Sequence, residues 1–395
     1  MFSVNNFYDY LRYKYSDPEK NIIYKFRENG SRDLFSLHPF NDNHNPLTAK
    51  FLGGIYLFDQ EPFCINNYHF DKNAETLYPM MFAELEYNIN LVSAFLSKAH
   101  TPIICHSEKN SNDINKLKEI GFLDVHYWYH GLIARDWFRH WKHYNINYNP
   151  GASRFGLYVR DTSGSREYRK DLLKELHDVD IYCPFINGEL FNSTESARIT
   201  WDDTNKFDIH IVAETLFNTE KVHLTEKIFK PIVMKQPFIL FAGPHSLRYL
   251  KKYGFKTFEH IWNEEYDDIL DAQERLNQAT KMIKRINKLP KDKYNKILEQ
   301  CKEIVEYNHN HFFSQKFEDI MLGELHSNFD IALQHQEENF LQDPGGIWFR
   351  MIEHYTNLGH SDLFRKDIIA QTKLLIIDNH PDPVSFLKQY PWDGS

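Results

Sequence analysis

"FDIHIVAETLFNTEKVHLTEKIFKPIVMKQPFILFAG" (207–243) decides the fold. Its two ends, "DIHIVAE" (208–214) and "PFILFAG" (237–243), are short, β-rich apolar runs bounded by turn residues, the pattern of buried strands. Thr225 between them has the side chain of a helix N-cap, so a helix is expected to start there. A strand, a helix and a second strand in this order form a parallel pair. Glu226 in the first helical turn suits the positive end of the helix dipole, but Lys227 beside it does not. A bound phosphate would explain the lysine, because helix amides and a point charge would share the anion. The alternative is a solvated surface charge, since such a mismatch costs only about 0.3–1 kcal/mol. Pro231 should kink that helix or shorten it to little more than a turn.

Outward from this segment the alternation continues. "GGIYLF" (53–58), "PIICHS" (102–107), "FGLYVR" (155–160) and "DIYCPF" (180–185) also read as buried strands. "NDINKLKEIGF", "SREYRKDLLKELHD" and "SLRYLKKYGF" read as helices, the first and last closing at Gly121 and Gly254. The order recurs on both sides of "HYNINYNPGAS" (143–153), a polar stretch with the composition of an interdomain linker. Beyond residue 264 the chain turns helical, with long amphipathic segments at 264–289 and 291–313 and Pro290 between them. The expected division is a Rossmann-like domain over 1–150, a second over 151–313, and a helical extension over 314–395.

The chain has 395 residues, of which 42% are hydrophobic and 15% aromatic, enough for two domains with sizeable cores. A net charge of −9 argues against coating nucleic acid through overall charge, although a local basic surface is compatible with it. Cys64, Cys105, Cys183 and Cys301 are too scattered for a disulfide framework or a zinc site, which points to a reducing cytoplasm. The first residues lack a signal peptide's apolar run, and no stretch approaches the ~18 apolar residues of a membrane span.

Thr225, Glu226, Lys227, Phe229 and Lys230, followed by "PFIL" and "SLRYLKKYGF", resemble the donor-binding region of the fucosyltransferase family and related GT-B glycosyltransferases. They are similar also to a group of phage-type glycosyltransferase-like proteins, and the likeness covers roughly residues 154–260. It implies an α/β, GT-B-like fold with two Rossmann-like domains facing a cleft. It implies further that a nucleotide-sugar is the co-substrate, with no metal and no other cofactor. On this reading Lys227 contacts the donor diphosphate, Glu226 accepts hydrogen bonds from the ribose, and Glu214 faces the same pocket. Arg166, after the Ser163-Gly164-Ser165 turn, is the matching diphosphate grip, and that turn before a helix suggests an anion site by itself. Eleven residues separate Glu214 and Glu226, unlike the Glu-x7-Glu spacing of retaining GT-B enzymes, so the stereochemistry stays open. If the chain is phage-encoded, its compartment is the host cytoplasm.

Sugar transfer with inversion needs a carboxylate to take the acceptor hydroxyl's proton. In "YLFDQEPF", Asp59 and Glu61 stand at a strand's carboxyl end and are the candidate bases, the alternative being a turn that merely ends the strand. "HYWYHGLIARDWFRHWKHY" (126–144) carries three Trp, four His, two Arg, one Lys and three Tyr. Stacking rings beside cations suit flexible or flipped nucleotides and also the apolar faces of sugars. His130, Arg135 and Asp136 are the candidate acceptor contacts, whereas Trp137 and Trp141, at i and i+4, could equally be core. The acceptor is then a hydroxymethylated base in DNA, or otherwise a glycan or small molecule. A non-catalytic nucleotide-sugar-binding adaptor is the reading from a different class. "DVD" (178–180) precedes a strand instead of ending one and so reads as a turn, and His309 and His311 lack a third clustered ligand for metal.

Overall fold

In the computed structural model, the described residues are 103–112, 114, 115, 118, 123–146, 151–184 and 206–342, with helical residues 10, 11, 14 and 15 and the backbone of three further short strands. The chain is mixed α/β, with two sheets and helices. Each of the six apolar runs holds a strand: β3 (Ile55–Phe58), β4 (Ile103–His106), β6 (Ser153–Leu157), β7 (Ile181–Tyr182), β8 (Phe207–Ala213) and β9 (Phe238–Phe241). Three more lie outside those runs: β1 (Ile23–Phe26), β2 (Leu37–Pro39) and β5 (Leu123–His126). The chain divides into two compact units, one of 1–4, 108–111 and 130–323, the other of 5–107, 112–129 and 324–395. The positions 150/151 and 313/314 both fall inside the first.

In the first unit the sheet order is β7-β6-β8-β9, and all three pairings are parallel. All seven residues of β8 are buried, which explains its nearly unbroken apolar run. Its two polar members are satisfied or packed: Asp208 accepts from Gly151 N at 2.7 Å and Tyr294 Oη at 3.0 Å, and the His210 ring meets Phe207 edge-on. Gly156 in β6 is required by packing, because a Cβ there would overlap the Phe207 ring.

The helices of this unit begin with α1 (Tyr129–Trp137), which starts one residue before it, followed by α2 (Tyr168–Glu175), α3 (Phe229–Val233) and α4 (Ser246–Lys252). Gly254, at φ 91°, closes α4 as its sequence position suggests. The segment 264–289 is not one helix. Glu265–Asp268 form a 3₁₀ turn, Ile269 is extended, and α5 (Ala272–Asn287) starts where Asp271 accepts from Glu274 N at 2.8 Å. Next come α6 (Lys291–Phe312) and α7 (Gln315–Gln342). Phe229, Phe255, Phe312 and Phe317 form an aromatic core beneath α3, with ring centroids 4.9–6.3 Å apart.

In the second unit the order is β2-β1-β3-β4-β5, parallel except for β2 at one edge. Ile103, Ile104, Cys105 and Val125 are fully buried, and Tyr15 stacks on Phe329 of α7 at 4.0 Å. β5 eludes apolar patterning because "LDVH" alternates with a carboxylate and a histidine, each of which has a partner. Cys105, Cys183 and Cys301 are buried in the interior. Among the described residues no helix is long and apolar enough to cross a membrane.

Candidate functional site

The order β7-β6-β8-β9 contains a topological switch point. The chain leaves β6 toward β7 on one side and returns to β8 on the other, so a crevice opens beyond the carboxyl ends of β6 and β8. Glu214 follows β8 directly and Tyr158 follows β6 directly. The loops from these two ends carry Asp161–Arg166 and Thr215–Lys227, so the predicted donor residues Arg166, Glu214, Thr225, Glu226 and Lys227 all belong to the rim of one crevice.

Glu214 is fully buried, and its carboxylate accepts from Thr225 N at 3.1 Å and Thr225 Oγ1 at 2.6 Å. Thr225 is extended (φ −104°, ψ −168°) like an N-cap, but its hydroxyl does not cap. It is spent on Glu214, since a buried carboxylate without donors would cost several kcal/mol, roughly. The expected helix is a 3₁₀ turn, Glu226–Ile228, followed by the five residues of α3. Pro231 thus limits the helix as predicted. So short an element carries little of a full helix's dipole.

Lys227 is therefore held by side chains. Its ammonium donates to Thr225 Oγ1 at 2.9 Å and Glu226 Oε1 at 3.2 Å, and lies 3.9 Å from Glu214 Oε2. His130, from the first turn of α1, brings Nδ1 to 3.6 Å from Glu226 Oε2, and its ring meets buried His223 edge-on at 5.3 Å. The two carboxyls respond in opposite directions. Burial raises Glu214, and Lys227 and Thr225 only partly offset the rise. Burial also pushes Glu226 up, but Lys227 and His130 outweigh it and hold Glu226 at about 2. Paired carboxyls with divergent proton affinities can divide donor and acceptor roles between them.

Across the crevice, the Ser163–Ser165 turn does bind an anion, but it is the chain's own. Asp161 accepts from Ser163 N at 2.9 Å, from Ser163 Oγ at 2.7 Å and from Arg166 at 3.2 Å. The Ser163 bonds and the guanidinium draw its carboxyl below the ordinary range. Three residues outside the predicted set shape the same rim. Buried Arg169 donates to the carbonyls of Asp161, Ala213 and Glu214 at 2.8–3.0 Å. Tyr168 stacks on Phe217 and donates to Glu214 O at 2.6 Å. Lys230 is buried in α3 with Nζ 3.9 Å from the Tyr158 ring centroid. Arg169 was within reach of the sequence, since it stands one helical turn after Arg166.

The predicted acceptor residues separate. His130 joins Glu226, as above. Arg135 is buried and donates to Ser314 O at 2.6 Å and to Glu318 at 2.8 Å. Asp136 is buried and accepts from Arg139 at 2.8 Å. Asp59 and Glu61 lie outside the described residues. "DVD" is part of the turn between α2 and β7, where Asp180 accepts from Arg154 N at 3.2 Å. His309 and His311 donate to the carbonyls of Val233 and Tyr253 at 2.9 and 2.7 Å, which pins α6 against α3 and α4.

The other end of the parallel arrangement in the second unit is also polar. His106 and His126 end β4 and β5 as register partners, with rings 5.6 Å apart. His106 Nε2 lies 3.3 Å from Asp124, Lys118 lies 2.9 Å from Asp124, and His126 Nδ1 lies 3.4 Å from Glu324. Burial pushes Asp124 up, yet His106 and Lys118 prevail and hold it well below the usual carboxylate range. A surface depression of about 590 Å³ in the first unit, bordered by Arg248, Lys251, Trp262 and Glu264, contains none of the predicted residues. Its charges are spent on the pairs Arg248–Asp268 and Lys251–Glu259.

Compared with known protein families, curated proteins and solved structures, the chain has no significant match. The functional reading therefore stands on the residues themselves.

Proposed function

We propose that this chain is a glycosyltransferase of GT-B type that moves a sugar from a nucleotide-sugar to a hydroxyl acceptor. The observation that carries the proposal is the crevice at the β6/β8 switch point. Two carboxyls of divergent proton affinity and a lysine stand on the loop leaving β8, and an arginine stands on the loop leaving β6, the place where parallel sheets bind ligands. In the free chain each cation is answered internally, Lys227 by Glu226 and Arg166 by Asp161. A donor diphosphate would draw both cations onto its own oxygens, and Glu226, so released, would accept from the ribose hydroxyls. Lys227 and Arg166 would then stabilise the departing nucleotide diphosphate, the task that a metal performs in other transferases. Asp59 or Glu61 would take the acceptor proton as the acceptor oxygen attacks the sugar's anomeric carbon.

A thermal-shift screen against GDP-, UDP-, CMP- and dTDP-sugars tests the proposal. One donor should raise the melting temperature of the wild-type chain and fail to do so for Lys227→Ala. No shift from any donor, or an undiminished shift in the variant, would remove the reading. The internal pairing of both cations also favours a second reading, a binding protein that holds a nucleotide-sugar without turning it over. Slow release of free sugar from the bound donor without acceptor marks the transferase, and its absence marks the binder.

A further inference from the structure

The segment 126–144 divides sharply in two. Up to Asp136 its side chains are interior, whereas Trp137, Arg139, His140, Lys142, His143 and Tyr144 are exposed and Trp141 is half-buried. The 3₁₀ helix Arg139–His143 buries none of its residues. Trp137 keeps 41% and Tyr144 48% of its surface in solvent, and the Trp141 and Tyr144 rings meet edge-on at 5.5 Å. Trp137, Trp141 and Tyr144 lie within eight residues of one another, and neighbouring exposed rings, unlike single ones, mark interaction surfaces. From 137 to 144 there is no acidic residue, in a chain with 55 acids and a net charge of −9. Among the described residues, His140, Lys142 and His143 have no hydrogen-bond or ion-pair partner, and Arg139 is tied to Asp136.

We infer that Trp137–Tyr144 is a binding surface for single-stranded or locally unpaired nucleic acid. The unpaired Lys142 ammonium and the exposed Arg139 guanidinium answer phosphates, and rings that face solvent offer stacking platforms to bases whose faces are open. A duplex hides those faces, and a purely electrostatic partner has no use for the tryptophan. The inference goes beyond sugar transfer and does not depend on it, because it uses none of the residues at the β6/β8 crevice.

Fluorescence anisotropy of a labelled oligo-dT, titrated with the full chain, tests it. Binding should appear at low salt and weaken roughly sevenfold between about 50 and about 200 mM salt if two phosphates are neutralised. Trp137→Ser should weaken it at least about fivefold, since one stacked base is lost. Lys142→Glu should flatten the salt dependence. Both sites are exposed, so the variants should keep the wild-type circular dichroism. Lys227→Ala should bind the oligonucleotide normally, so failure of the sugar-transfer reading and failure of this one are distinguishable. Absence of binding at low salt, binding indifferent to both substitutions, or equal affinity for a duplex would overturn the inference. Trp137-dependent binding to phosphatidylserine vesicles in place of the oligonucleotide would overturn it as well.

Discussion

The carboxyl edges of the two sheets both end in polar clusters, but the charges are shared out differently in each. At the four-stranded sheet two carboxyls, Glu214 and Glu226, share one lysine, and the surroundings drive their proton affinities apart. At the five-stranded sheet two histidines each have a carboxylate, and Asp124 also has the ammonium of Lys118. In the first cluster one lysine is divided between two carboxyls, whereas in the second each carboxylate has partners of its own. A lysine shared in this way can be reassigned when a ligand arrives, whereas a network of separate pairs mainly holds structure.

The largest effect that would sharpen this contrast is on Lys227. Lys227→Met leaves buried Glu214 and half-buried Glu226 without their shared cation and should cost about 3 kcal/mol, read as a lower urea midpoint. Adding Glu226→Gln should restore much of that loss, and a strictly additive double variant would dissolve the cluster as a unit.

The next concerns pH. Glu226 is held at about 2, below its ordinary 4.5, so its contribution is present above 4.5 and lost as pH falls toward 2. At about 1.4 kcal/mol per pH decade, the stability gap between wild type and Glu226→Gln should be about 3 kcal/mol at neutral pH and close over that window. Glu214 runs the other way. Its raised proton affinity favours the fold at low pH, and that contribution is lost as pH rises above 4.5, so Glu214→Gln should gain on the wild type as pH increases from there. A gap that stayed constant from pH 7 to 2 would contradict the assignment of Glu226.

In the five-stranded cluster, Asp124→Asn should cost about 2 kcal/mol near neutrality, because Lys118 and the His106 ring lose their shared charged acceptor. Its depressed proton affinity places the loss of that contribution in strong acid, with the same sign as Glu226. The smallest effect belongs to Asp161. Asp161→Asn releases Arg166 and the Ser163 turn, and should tighten pyrophosphate binding about threefold by calorimetry. Weaker binding in that variant would show that Asp161 supports the turn more than it competes with a ligand.

The four-stranded cluster was legible wherever its members are neighbours in sequence. Thr225, Glu226 and Lys227 are consecutive, and Glu214 ends the strand before them, so periodicity alone brought them to one loop. What answers Lys227 was not legible. Helix-dipole reasoning assumed a full helix and a capping threonine, while Pro231 shortens the helix and Glu214 takes the hydroxyl. Nor could the sequence show Asp161 filling its own anion turn, because a carboxylate two residues from Ser163 looks like ordinary loop polarity. The partners of the five-stranded cluster, Asp124 and Glu324, are far apart in the chain, and β5 carries too few apolar residues to stand out. In 126–144 composition flagged the whole segment. Only burial shows that its first half, with His130, Arg135 and Asp136, is interior and that the exposed rings start at Trp137.

Arg169 has a mechanical consequence. One guanidinium clasps the loop leaving β6 through Asp161 and the end of β8 through Ala213 and Glu214. Those three charge-assisted bonds act as a spacer bar, so the gap between the two strand ends keeps a set width before any ligand enters. On the proposed reading, guests of different size would be accommodated by the swing of Lys227 and Arg166 alone, and the slot would act as a gauge for one girth of ligand.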